Sequence, residues 1–142
     1  MVNLRKAMIN TALGYVANMN AMPEGAENWA RGRHPDATHW VFPLSLEATP
    51  KGNQEMVDFI RDLLPGLSSF ETIFSPVNPI QVDEKQHLVT ISVNGTGETA
   101  VGNYFQEFIF TLETTEDGTQ VRNSWEWVDS VLAEEYLSRL DL

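Results

Sequence analysis

The chain has 142 residues, 42% of them hydrophobic, which suits one domain around one core. Twenty acidic residues against nine scattered basic ones give a net charge of −11, which argues against counterion displacement from nucleic acid and for an acidic, soluble surface. No apolar run approaches the roughly 20 residues of a membrane span, and the absence of cysteine removes disulfide and thiolate chemistry.

The opening segment MVNLRKAMINTALGYV carries two basic residues and several apolar ones, but Asn3, Asn10 and Thr11 interrupt the apolar block a signal peptide needs. It reads instead as a first helix, with Leu4, Met8, Ile9, Leu13, Val16 and Met19 near helical spacing. A cytoplasmic location is therefore expected. Ala21-Met22-Pro23-Glu24-Gly25 ends that helix, and a short helical turn is expected through Trp29. Residues 36–42 (DATHWVF) read as a short strand closed by Pro43. Asn53 is a plausible N-cap for a second helix carrying Met56, Phe59, Ile60, Leu63 and Leu64, which Pro65-Gly66 stops.

Beyond residue 66 the period changes from helical to alternating. Four strands are expected at about 69–81, 87–98, 103–114 and 119–129, with a hairpin turn at Glu116-Asp117-Gly118 and a terminal helix over 132–140. The order of helices, then strands, indicates α+β and a single domain over residues 1–142. A strongly bent sheet folded over its own helices would bury both apolar faces and leave a concave side able to hold a small molecule.

Three segments carry candidate chemistry. In Val121 to Asp129, strict alternation puts Val121, Asn123, Trp125, Trp127 and Asp129 on one face, and Arg122, Ser124 and Glu126 on the other. Two indoles between an amide and a carboxylate suit a pocket wall, and a carboxylate desolvated there is suited to general-base work. The competing reading makes the indoles core and Asp129 the cap of the last helix.

The second segment, Arg33 to Trp40, gathers Arg33, His34, Asp36 and His39 at the mouth of a strand. His39 can exchange protons near neutral pH, and Asp36 can orient an imidazole or bind a hydroxyl. Alternation sets His39 and Val41 against Thr38, Trp40 and Phe42, so His39 and Trp40 share the cavity only with a bulge. A metal site of His34, Asp36 and His39 lacks both the HExxH spacing and a second cluster, and is not favoured. Taken alone, the cluster reads as a polar loop with surface ion pairs.

In the third segment, Tyr104, Gln106, Phe108 and Phe110 share one face; Phe105, Glu107, Ile109 and Thr111 share the other. A two-residue turn at Asp117-Gly118 brings Tyr104 beside Trp127 and Asp129, whereas a bulge brings Glu107 there instead. The register stays open. With no GxSxG elbow, phosphate loop or dinucleotide fingerprint, proton transfer by carboxylate, imidazole and phenol remains, with no cofactor required.

The ordered motifs Arg33-x-Pro35-Asp36-x-x-His39, Pro43-x-Ser45-Leu46, Asn53-x-Glu55, Glu98-Thr99-x-x-Gly102-x-Tyr104-x-x-Glu107, Glu116-Asp117-Gly118 and Trp127-Val128-Asp129-Ser130 resemble the fungal SnoaL-like (NTF2-like) proteins. The similarity runs over about residues 5–138 and is greatest to the meroterpenoid isomerase family. The resemblance implies an NTF2-like cone: a strongly bent, mixed or antiparallel sheet wrapped around N-terminal helices and enclosing a pocket. It also implies a homodimer through the outer sheet face, a small-molecule substrate, and cofactor-free isomerisation or cyclisation of a polyketide or meroterpenoid intermediate. Asp36, His39 and Asp129 are then the expected catalytic groups. Arg33, Trp40, Tyr104, Glu107, Asn123, Trp125 and Trp127 are the expected substrate contacts. A hydrolase opening an epoxide or lactone, and a non-catalytic binding or scaffold module, are the alternatives.

Overall fold

The computed structural model describes residues 3–140; the outermost two residues at each end of the expected domain lie outside it. Helix α1 (Leu4–Asn20) starts where the Asn3 side chain accepts the Lys6 N–H at 3.1 Å, and it buries Met8, Ala12, Tyr15, Val16 and Met19 on one stripe. Two short 3-10 turns, Met22–Glu24 and Ala26–Ala30, bring Trp29 into the core. Strand β1 (Arg33–Phe42) follows, three residues longer at its start than the alternation of residues 36–42 predicts. After a 3-10 turn at Leu44–Leu46 and a two-residue strand β2 (Lys51–Gly52) comes helix α2 (Asn53–Leu63). Its N-cap is Gly52, whose N–H donates to Glu55 Oε1 at 3.1 Å. Asn53 is displaced from the capping role because its amide joins other partners: Arg33 Nε donates to its Oδ1 at 2.8 Å, and its Nδ2 donates to the His34 carbonyl at 2.9 Å.

The expected strand over 69–81 divides into β3 (Ser69–Phe74) and β4 (Gln81–Asp83). Between them Ser75 Oγ accepts the N–H groups of Val77 and Asn78, and Pro76 and Pro79 have no N–H to lend a ladder. Strands β5 (Leu88–Thr99), β6 (Gly102–Thr114) and β7 (Val121–Val128) and helix α3 (Ser130–Leu137) complete the chain. The seven strands form one open mixed sheet in the order β2-β1-β7-β6-β5-β3, with β4 paired to β5. Only the β1–β7 pair is parallel. No described helix is long and apolar enough to cross a membrane.

The concave face of the sheet packs on the helices. Strand β5 turns Val89, Ile91 and Val93 inward, and β6 turns Tyr104, Gln106, Phe108, Phe110 and Leu112 inward, as a period of two requires. Gly95 and Gly97 continue the inward row of β5 and admit a close neighbour. A Cβ on Gly97 would sit 2.8 Å from the Ser69 carbonyl oxygen, and one on Gly95 would sit 3.0 Å from both the Phe70 and Phe108 rings. Their missing side chains let β3 lay Phe70 across β5.

Two irregularities govern which side chains enter the concave side. Thr114 pairs with Val121 but Glu113 pairs with Asn123, so Arg122 is an extra residue in β7. Across β1 and β7 the register moves from Arg33–Val121 to Thr38–Asn123, so β1 bulges over His34 to Ala37. The Asn123 side chain braces both strands: its Oδ1 accepts the Thr38 N–H at 3.1 Å, and its Nδ2 donates to Glu113 Oε1 at 2.8 Å.

Candidate active site

The bulge at Arg122 reverses the parity of the rest of β7. Val121 is inward, yet so are Ser124, Glu126 and Val128, which lie opposite Leu112, Phe110 and Phe108 of β6. Asn123, Trp125 and Trp127 therefore occupy the convex face, against the expectation that they wall the pocket. Trp125 stacks on Trp40 with ring centroids 5.3 Å apart, Trp127 stacks on Phe42 at 4.7 Å, and Trp127 is 48% exposed. Glu107 is exposed on the same convex side. The bulge does bring the faces of Glu107 and Trp127 together, but outside the cavity.

Asp129 also leaves the expected site. Its Oδ1 accepts the N–H groups of Val131 and Leu132 at 2.9 and 3.1 Å, which commits the carboxylate to capping α3. Asp36 lies exposed on the β1 bulge, where its N–H donates to His34 Nδ1 at 3.1 Å; the extra residues carry it away from the cavity. Among the described residues, no three His, Cys, Asp or Glu side chains are grouped to hold a metal ion.

The cavity has a volume of about 360 Å³ and lies between the concave sheet, α2, α3 and the segment after β1. Its walls are mostly apolar: Met19, Met22, Met56, Phe59, Ile60, Leu63, Leu64, Phe70, Phe108, Val41, Val128 and Leu137. Glu47, Thr49 and Lys51 add polar groups from the segment after β1. Within, the polar side chains are Glu126, Tyr104, Gln106 and Tyr136, whose hydroxyl donates to the Leu63 carbonyl at 2.6 Å. The Gln106 amide is already spent: Oε1 accepts the N–H groups of Asp129 and Glu107, and Nε2 donates to the Asp129 carbonyl at 3.2 Å. Glu126 and Tyr104 are left to meet a ligand.

Glu126 is held from behind. His39 is fully buried, and its Nε2 lies 2.9 Å from Glu126 Oε1, while the Glu126 side chain keeps 13% of its surface exposed. His39 Nδ1 lies 2.6 Å from Ser124 Oγ, which also accepts from Arg33 Nη1 at 2.9 Å. The Arg33 guanidinium lies 4.3 Å from the centre of the Trp29 ring, whose edge packs against the His39 imidazole. Burial lowers the pKa of Arg33. Of the expected site residues, then, Arg33, His39 and Tyr104 converge on the interior. Alternation placed Glu126 and Ser124 on the opposite face, and only the burial of His39 in the folded chain calls for such partners.

Burial raises the pKa of both Tyr15 and Tyr104, and the nearby Glu126 charge pushes each further upward. Tyr104 therefore keeps its hydroxyl proton well past the ordinary tyrosine range. Because the folded pKa values lie above the ordinary value of 10.0, the stability they confer is complete below that pH and is lost as pH climbs toward the folded values. Urea midpoints measured from about pH 8 to 11 should fall at the alkaline end, and Tyr15→Phe should flatten that fall.

An open sheet bent over helices around an apolar cavity is the SnoaL-like (NTF2-like) fold. Solved structures agree. BvnE pinacolase from Penicillium brevicompactum superposes with a TM-score of 0.89 at 26% identity, covering 96% of each chain. A SnoaL-like polyketide cyclase from Shewanella denitrificans OS-217, at 12% identity, shares the fold with a TM-score of 0.69 over 92% of this chain and 96% of its own. Among curated proteins, austinoid biosynthesis clusters protein H of Penicillium brasilianum is 28% identical, over 96% of this chain and 92% of that protein. No protein-family profile matches the chain. The chain has the SnoaL-like (NTF2-like) fold and resembles fungal meroterpenoid-cluster proteins.

Proposed function

We propose that this protein is a cofactor-independent isomerase or cyclase acting on a meroterpenoid or polyketide intermediate of fungal secondary metabolism. Its similarity to an austinoid-cluster protein and to a pinacolase supports the setting. The observation that carries the chemistry is Glu126, a carboxylate on the sheet wall of an apolar cavity, backed by a buried imidazole. Glu126 takes a proton from carbon beside a carbonyl, the electron pair moves onto the carbonyl oxygen, and the Tyr104 hydroxyl donates to that oxygen. Return of the proton to a different carbon gives the isomer. Attack of the enolate carbon on a second carbonyl of the same molecule breaks that C=O π bond and gives the ring, its new alkoxide taking the proton back from Glu126. His39 and Arg33 position Glu126 and touch no substrate in this scheme. In heavy-oxygen water the product should keep the mass of its substrate and take up no label. Label incorporation would instead establish the hydrolase reading, and binding without turnover would establish the scaffold.

The stacked pairs Trp40–Trp125 and Phe42–Trp127, together with exposed Phe105 and Ile109, make the convex face an apolar surface suited to a second copy of the chain. Trp127→Glu should shift the protein from dimer to monomer by light scattering while leaving its circular dichroism unchanged. A wild-type protein that is already monomeric would remove this part of the proposal.

A further inference from the structure

Ser124 has no exposure, and its hydroxyl meets two nitrogens, Arg33 Nη1 at 2.9 Å and His39 Nδ1 at 2.6 Å. A hydroxyl has one proton to give and two lone pairs with which to accept. Arg33 only donates, so it occupies one lone pair and cannot receive the Ser124 proton. If His39 Nδ1 carried a hydrogen, it would take the second lone pair, and the Ser124 proton would have no acceptor among the described residues. That holds for the imidazolium and for the ring protonated at Nδ1 alone. A buried hydroxyl without an acceptor is the arrangement proteins avoid. Arg33 Nη2 is without a partner among the described residues in any arrangement, but only one pattern satisfies the Ser124 hydroxyl and both His39 ring nitrogens: Arg33 donates to Ser124, Ser124 donates to His39 Nδ1, and His39 Nε2–H donates to Glu126 Oε1 at 2.9 Å.

We infer that Ser124 is a positioning residue that, with Arg33 filling its second lone pair, holds His39 in the Nε2–H tautomer and so presents Glu126 to the substrate as a hydrogen-bonded carboxylate. This rests on Glu126 being the acting carboxylate. The direction of donation matters for the reaction. With Nε2–H aimed at it, one Glu126 oxygen is engaged as an acceptor and the carboxylate can receive a proton from substrate. With the ring reversed, a neutral glutamic acid would have to donate to Nε2, and no base would face the cavity. The other ionisable groups near Glu126 are Tyr15 on α1 and Tyr104 on β6, and both hold their protons. Neither competes for the proton that Glu126 receives.

Nitrogen-15 NMR of the imidazole in the free wild-type protein tests this without any substrate. His39 should show a protonated Nε2 and a bare Nδ1 at neutral pH; a hydrogen on Nδ1 would overturn the inference whatever the turnover. Ser124→Ala should release the constraint, giving a mixed or reversed tautomer, and should lower turnover roughly 10- to 100-fold, as loss of an orienting hydrogen bond does. A folded Ser124→Ala protein whose His39 tautomer is unchanged would also overturn it. Should that variant not fold, the wild-type spectrum decides alone. Glu126→Gln separates the two readings: if it retains turnover while His39 shows the Nε2–H pattern, the assignment of Glu126 fails and the Ser124 inference survives as structure.

Discussion

Glu126→Gln should reduce turnover by about 10² to 10⁴-fold, the usual worth of a positioned acid or base. Glutamine is close in size and keeps an amide oxygen to accept His39 Nε2–H, so the bond made by Glu126 Oε1 survives the change. What disappears is the capacity to take up a proton at the cavity wall. The loss should fall on kcat rather than on KM, because the apolar walls that bind substrate are untouched. Steady-state kinetics beside a thermal melt would separate the two effects. Unaltered kcat would remove Glu126 from the chemistry and with it the proposed mechanism. By contrast, Asp36→Asn and Asp129→Asn should leave kcat near wild type, since one carboxylate lies on an exposed bulge and the other caps α3.

Phe110→Ala should destabilise the fold by about 3 to 5 kcal/mol, the range for emptying a large aromatic from a core. Phe110 is fully buried, stands 5.0 Å from the ring centres of both Tyr15 and Phe108, and pairs across the sheet with Glu126. Its removal would leave a void beside the carboxylate as well as in the core. Turnover should therefore fall together with the urea midpoint, whereas Glu126→Gln should lower turnover alone. A loss below about 1 kcal/mol would mean that α1 and the sheet close over the gap, which a well-packed interior resists.

Much of the architecture was legible. Helical spacing in α1 and α2, alternation in β5 and β6, and Pro-Gly punctuation place the elements within a few residues of where they stand, and the motif order points to the cone. The site was less so, and the difficulty lies in two places. Val121 to Val128 alternates cleanly on paper, but one extra residue at Arg122 exchanges its faces, sending both indoles outward and Glu126 inward. Nothing local announces that bulge, because the cause is tertiary: Asn123 has to reach both Thr38 and Glu113. The β1 bulge hides Asp36 in the same way, whereas His39 and Val41 lie beyond it and point inward as alternation expects. Asp129 had two workable roles in the sequence, and the Gln106 amide, by clasping the Asp129 backbone, draws it to the helix cap.

The Arg122 bulge also decides where along β7 a change in length can be absorbed. Deleting that one residue would leave Val121 opposite Thr114 and Asn123 opposite Glu113 in unbroken alternation, with every later side chain on its present face. Deleting one residue between 123 and 125 with the bulge kept would instead carry Glu126 through half a pleat. In that second case Glu126 would be delivered to the convex surface and His39 would lose its carboxylate partner. Reading frames of this protein and its relatives therefore need to be matched by the parity of residues 122–128 before any residue is compared.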